Sequence, residues 1–219
     1  MRVAIFGGSF DPPHNGHKAI IEKVLETLQI DLLIVLVAYK NPLKSHYRIN
    51  AQKRFIWMQT LCNEYEKVIC SDYELRKNII TTTIESVRYF KNLYKIETLY
   101  FVLGQDNFLQ VPKWNDFASL RIELSFVVIA RKFLNPNHEN LNKDLQEKVK
   151  DLHICEQFAK KYMLKMQYLQ FSYPYSSSLI MQDIKRYQEE IPESIRKSVI
   201  ESYATINQTN KKDINDTKY

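Results

Sequence analysis

The stretch Gly7-Gly-Ser-Phe-Asp-Pro-Pro-His-Asn-Gly-His17 decides how this chain folds. Before it runs Arg2-Val-Ala-Ile-Phe6, a short apolar segment that predicts a buried strand. After it, Ala19, Ile20, Val24, Leu25 and Leu28 recur at helical spacing within Gly16–Leu28. Leu32-Leu-Ile-Val-Leu-Val-Ala38 is uniformly apolar and β-branched in its middle, the pattern of a parallel strand covered on both faces. The order strand, turn, helix, strand predicts a right-handed βαβ unit. The loop therefore leaves the C-terminal end of a strand and enters a helix. Open parallel sheets bind ligands at that edge, and the N–H groups of a helix N-terminus suit phosphate. Only four glycines occur in the chain, and Gly7, Gly8 and Gly16 all lie here. Gly7 and Gly8 let backbone approach a ligand, and Gly16 is expected to let His14 and His17 sit around a tight bend. Two imidazoles so placed can donate hydrogen bonds to a phosphate that gains charge in a transition state. The stretch matches neither the P-loop nor the Rossmann glycine pattern.

The alternation continues downstream. Helices are expected over Ala51–Cys62, Thr81–Asn92, Lys148–Met163 and Leu179–Tyr187, and strands over Lys67–Cys70, Glu97–Leu103, Leu124–Ala130 and Lys165–Phe171. Pro192 can start a last helix reaching Tyr203. The fold class is thus α/β: a Rossmann-like, doubly wound, mostly parallel sheet flanked by helices, with a small C-terminal helical part. Residues 1–203 are expected to form a single domain and the polar residues 204–219 a flexible tail.

Composition narrows the chemistry without choosing it. The 219 residues carry a net charge of +6 and a pI near 9.0, which favours anionic partners such as phosphorylated metabolites, nucleic acid or acidic membrane. Basic residues are dispersed, so charge alone does not select among these. Cys62, Cys70 and Cys155 are far apart and show no ligand spacing, which argues against structural zinc and fits a reducing compartment. The longest apolar stretch, Leu32 to Tyr39, is far below the roughly 20 residues that span a bilayer. A cytoplasmic protein with neither membrane nor nucleic-acid partner is expected; homo-oligomerisation is left open.

The N-terminal stretch resembles the signature of the HxGH nucleotidylyltransferases, and specifically of bacterial nicotinate-nucleotide adenylyltransferases. Later segments match in order. Asn41-Pro-Leu-Lys44 is similar to the family's Pro-Pro-His-Lys, with Leu43 in place of histidine. Thr81-Thr-Thr-Ile-Glu-Ser86 is similar to its Ser-Tyr-Thr-Ile-Asp-Thr, with Thr82 in place of tyrosine. Gly104-Gln-Asp106 with Trp114 resembles a Gly-x-Asp…Trp element. Tyr175-Ser-Ser-Ser-Leu-Ile-Met181 resembles Ile-Ser-Ser-Thr-x-Ile-Arg, with Met181 where the family has an arginine that reaches the triphosphate. Lys185, one helical turn on, is a candidate replacement.

The resemblance implies adenylyl transfer from ATP to nicotinate mononucleotide, with magnesium arriving on ATP and no fixed metal site. It implies His14 and His17 as the catalytic pair. Gly7, Gly8, Ser9, Phe10, Gly16, Lys44, Gly104, Asp106, Ser176, Ser177 and Ser178 would surround ATP. Thr82, Thr83, Trp114 and Arg131 would border the nicotinate nucleotide. The residues themselves allow more modest roles: Thr82 as a helix cap, Trp114 as a core aromatic, Lys44 as a solvated loop lysine. Nicotinamide mononucleotide, phosphopantetheine and glycerol phosphate are the rival acceptors, and a non-catalytic nucleotide- or RNA-binding module is the rival class.

Overall fold

One sheet organises the molecule. The computed structural model describes residues 1–40, 49–130, 141–171 and 173–216, the side chains of 141–149 and 207–216 excepted. The strands are β1 Arg2–Gly8, β2 Leu32–Val37, β3 Val68–Ser71, β4 Thr98–Gly104, β5 Ser125–Ile129 and β6 Lys165–Leu169. They lie in the order β3-β2-β1-β4-β5-β6, and each neighbouring pair is parallel. The helices are α1 Asn15–Thr27, α2 Ala51–Cys62, α3 Tyr73–Lys77, α4 Thr83–Leu93, α5 Gln105–Phe108, α6 Phe117–Glu123, α7 Leu141–Tyr162, α8 Ser177–Gln182 and α9 Glu193–Asp216.

The apolar strand runs serve two cores at once, because successive strand residues point to opposite faces. Ala4 and Phe6, Leu33 and Val35, Tyr100 and Val102, and Val127 and Ile129 pack on one face against α1, α2 and α9 through Ile21, Val24, Trp57, Leu61 and Val199. Val3 and Ile5, Ile34 and Leu36, Phe101 and Leu103, and Phe126 and Val128 pack on the other against α4, α6 and α7 through Val87, Phe90, Leu120 and Cys155. Both faces of the sheet are covered, which is what the unbroken apolar runs require. The direction of strand order reverses between β1 and β4, the point where sheets of this winding form a crevice at the carboxyl ends of their strands.

Two helix expectations are corrected, and three short helices are added. The segment Leu179–Tyr187 is not one helix: α8 stops at Gln182, because the Asp183 carboxylate accepts the Arg186 N–H at 3.1 Å and the Asp183 carbonyl accepts the Tyr187 N–H at 3.1 Å, starting a separate turn. The last helix does not end at Tyr203 but runs to Asp216, through a segment without glycine or proline to break it. The short helices α3, α5 and α6 stand where no helical periodicity was legible, each of them too brief to show one.

Leu33 is fully buried between β1 and β3, whereas Ile79 is 56% exposed. Leu33→Ala should lower unfolding free energy by about 2–5 kcal/mol, and Ile79→Ala by less than about 0.5 kcal/mol, as read from urea denaturation midpoints.

Candidate active site

The loop between β1 and α1 is shaped from within. Phe10 sits at φ 49°, a left-handed conformation costly for an aromatic residue. Its ring offsets that cost by burial, edge-on to Phe6 at 5.5 Å and to His17 at 4.9 Å between centroids. Gly8 is what makes room: a Cβ there would lie 2.7 Å from the Phe10 ring. Phe10 is 2% exposed, so it supports the histidines from beneath and offers no side-chain surface to a nucleotide.

His14 caps α1, and both histidines are about 6% exposed. The His14 Nδ1 accepts the Gly16 N–H at 3.1 Å, and the His17 Nδ1 accepts the His14 N–H at 3.1 Å. A ring nitrogen that accepts carries no hydrogen, so in each neutral imidazole the hydrogen sits on Nε2. The rings lie 3.8 Å apart at 35°. The fold thus sets a pair of adjacent Nε2–H donors at the N-terminus of a thirteen-residue helix. Gly16 does not form the expected bend; it lies inside α1, with no positive φ at any glycine. Its lack of a side chain serves close approach instead, since a Cβ would fall 2.3 Å from Tyr173.

Two groups that sequence reading missed hold this loop. Arg54, only 1% exposed, donates to the carbonyls of Ser9, Ala38 (2.9 Å), Tyr39 (3.1 Å) and Ile49 (3.2 Å). One guanidinium therefore joins the β1–α1 loop, the exit of β2 and the entry of α2. The signal was present in the sequence: Arg54, Trp57, Met58 and Leu61 fall on one apolar helix stripe, where a charge has no ordinary reason to be. Tyr203 on α9 donates its hydroxyl to the buried Asp11 carboxylate across 192 residues, a pairing with no local signature.

Glu74 lies beside this clamp, its carboxylate accepting the Tyr39 N–H at 3.2 Å. Burial pushes its carboxyl up to about 7, although the Tyr39 N–H and the Arg54 guanidinium pull the other way.

The serine turn does reach the loop. Ser177 Oγ donates to the Pro12 carbonyl at 2.9 Å, and Ser176 Oγ accepts the Leu179 N–H at 3.2 Å. Two of the three hydroxyls therefore hold structure together, and Ser178 is exposed. Thr82 caps α4, giving its N–H and hydroxyl to Glu85, both at 2.8 Å, and Thr83 opens the helix. Gly104 ends β4 and Asp106 stands exposed on α5. Trp114 is half-buried, edge-on to Phe101 at 5.9 Å. Gly7 has ordinary clearance, the Phe101 ring lying 3.7 Å from where a Cβ would be. All of these stand at the carboxyl edge of the sheet. Lys44 and Arg131 lie outside the described residues. Among the described residues no cluster of three His, Cys, Asp or Glu groups could hold a metal ion, and no helix is long and apolar enough to cross a membrane.

The cytidylyltransferase-like family model matches residues 5–183. A protein of Sulfurovum sp. (strain NBC37-1) named "Probable nicotinate-nucleotide adenylyltransferase" is 44% identical over 130 residues, 59% of this chain and 68% of that one. One of the same name from Campylobacter jejuni (strain RM1221) is 34% identical over 179 residues, 76% of this chain and 99% of that one. The chain belongs to the nicotinate-nucleotide adenylyltransferase family. It is an enzyme of the nucleotidyltransferase class. In fold it is similar to the Plasmodium falciparum nicotinic acid mononucleotide adenylyltransferase complexed with NaAD, with a TM-score of 0.64 at 20% identity, covering 94% of this chain and 97% of that one.

Within the family pattern, Met181 remains the departure. Its side chain packs against the α1, α2 and α9 core. Lys185 is not one turn along the same helix face, because α8 has ended three residues earlier. Arg186 lies with its guanidinium 5.4 Å from the Tyr187 ring centroid.

Two outcomes follow. Arg54→Met leaves several carbonyls without their donor and should cost about 3 kcal/mol or more in denaturant unfolding. For Glu74, the folded carboxyl at about 7 lies above the ordinary value of 4.5. The native state then binds the proton more tightly, so this group's stabilisation is full below pH 4.5 and is lost as pH rises towards and through about 7. Glu74→Gln should flatten that fall when unfolding free energy is followed between pH 5 and pH 8.

Proposed function

We propose that this chain transfers the adenylyl group of ATP to the phosphate of nicotinate mononucleotide, giving deamido-NAD and pyrophosphate, a step of NAD biosynthesis in the cytoplasm. One observation carries the reading: adjacent imidazoles with both Nδ1 atoms occupied by backbone, presenting Nε2–H donors at the start of α1. The names of the relatives supply the acceptor.

The chemistry asks little of the protein in covalent terms. A mononucleotide phosphate is already a nucleophile at neutral pH. Its oxygen forms a bond to the α-phosphorus of ATP while the bond from that phosphorus to the bridging oxygen breaks in line, and pyrophosphate leaves with the electron pair. Catalysis is then positioning and charge stabilisation. His17 and His14 donate to ATP phosphates, with His17 nearest the α-phosphoryl. Lys44 and the turn at Ser176, Ser177 and Ser178 hold the phosphates. Asp106, after β4, binds ribose hydroxyls. Trp114 gives a face to the pyridine ring, the first turn of α4 at Thr82 and Thr83 meets its carboxylate, and Arg131 lies near. Magnesium enters as part of the ATP complex.

Pyrophosphate release by the purified protein with magnesium and ATP tests this, with nicotinate mononucleotide, nicotinamide mononucleotide or phosphopantetheine as acceptor. Release with the nicotinate nucleotide well above the other two is expected, and His17→Ala should lower its rate by about 100-fold or more with the thermal unfolding transition intact. Equal release with nicotinamide mononucleotide would overturn the acceptor, and silence with all three would overturn the activity.

A further inference from the structure

The strand-to-helix loop before α8 carries an aromatic side chain that no part of the reaction above uses. Tyr173 lies parallel to the His14 ring, at 3° and 5.4 Å between centroids, on a helix start where Gly16 leaves space for it. His14 thereby contacts two aromatic rings, His17 tilted at 3.8 Å and Tyr173 parallel at 5.4 Å. The Tyr173 hydroxyl donates to Glu190, and that turn is docked on α1 by the Asn15 side chain, which donates to the Glu189 carbonyl at 2.9 Å. Tyr175 packs edge-on against Tyr173 at 5.7 Å. Burial and the Glu190 carboxylate hold the Tyr173 hydroxyl well above the usual phenol range, so it stays a donor at working pH.

We infer that Tyr173 is a positioning residue for His14: its ring, latched by Glu190 and seated on Gly16, fixes the plane in which the His14 Nε2–H is presented. The backbone bond to Nδ1 sets the tautomer, and the Tyr173 ring bears on the plane of the imidazole. The parallel Tyr173 ring, with the tilted His17 ring beside it, holds the imidazole in one plane. Charge stabilisation by a preset donor depends on the donor being in place before the reaction, and small misplacements are costly. The contact also gives the glycine of the His-x-Gly-His stretch a reason in this chain, since any larger residue at Gly16 would push the ring away.

The inference rests on the proposed adenylyl transfer, and a double-mutant cycle tests it. Tyr173→Ala should lower kcat about 10- to 100-fold with a smaller change in the KM for ATP. Tyr173→Phe, which keeps the ring, should retain most of kcat. In a His14→Ala background Tyr173→Ala should cost less than about twofold, because the ring it positioned is gone. Tyr173→Leu keeps bulk over Gly16 without an aromatic face and guards against a merely unfolded alanine variant; it should lose kcat like Tyr173→Ala. Equal fractional losses in the two His14 backgrounds, or full activity of Tyr173→Leu, would overturn the inference. Proton NMR of the His14 ring gives a readout independent of turnover: its ring-current shift should persist in Tyr173→Phe and vanish in Tyr173→Leu. A wild-type protein silent with every acceptor would sink the adenylyl-transfer reading, while the NMR shift would still report on the stack; a shift unmoved by Tyr173→Leu would sink the stack itself.

Discussion

The active loop depends on a buried cation. Arg54 reaches from α2 to main-chain carbonyls of three segments: the β1–α1 loop, the end of β2, and Ile49 just ahead of the α2 cap. Removing a guanidinium from water costs several kcal/mol. The four hydrogen bonds from this charged donor are what offset that cost. What the arrangement contributes is geometry: Ser9 cannot drift relative to Ala38 and Tyr39 while one planar group holds all three. Glu74 stands close enough to feel that charge and is still pushed up to about 7 by its burial, so this corner of the sheet edge carries a carboxyl that titrates near neutrality.

From that clamp a column of rings leads outward. Phe6 supports Phe10, Phe10 supports His17, His17 faces His14, and His14 faces Tyr173. The order runs from the centre of the sheet to the loop before α8. Rigid rings carry little rotamer entropy to lose, and each restricts the next. The strained Phe10 backbone belongs to this design: a residue at φ 49° persists only where its surroundings over-determine it. Backbone N–H groups then settle which nitrogen of each imidazole carries the hydrogen. The histidines are ready donors because strand, loop and helix have already spent their freedom.

Much of this was legible in the residues. Apolar strand runs, a glycine-rich turn and alternating helices read directly as a covered parallel sheet, and the His14–His17 loop lies at the strand end where that reading put it. Other parts were hidden for physical reasons. Asp11 and Tyr203 are 192 residues apart, and no local pattern couples them. Ser176 and Ser177, read as phosphate ligands, also have backbone to bind, because a hydroxyl at a helix start has main-chain partners at hand. The helix expected through Tyr187 breaks because Asp183 competes for nearby N–H groups, a choice that periodicity does not record. Gly16 was read for flexibility and turned out to matter for clearance.

The sequence by itself determined the layers, the edge of the sheet where the chemistry lies, and the residue types present there. Strand period and helix period are local properties, and a parallel sheet offers its loops at one edge. Only the tertiary structure decided how those residues divide their work. Which imidazole nitrogen carries hydrogen, which serine is occupied, why position 16 has no side chain and what holds the loop still all depend on partners from distant parts of the chain. Those partners meet only after α2, α9 and the loop before α8 have packed onto the sheet.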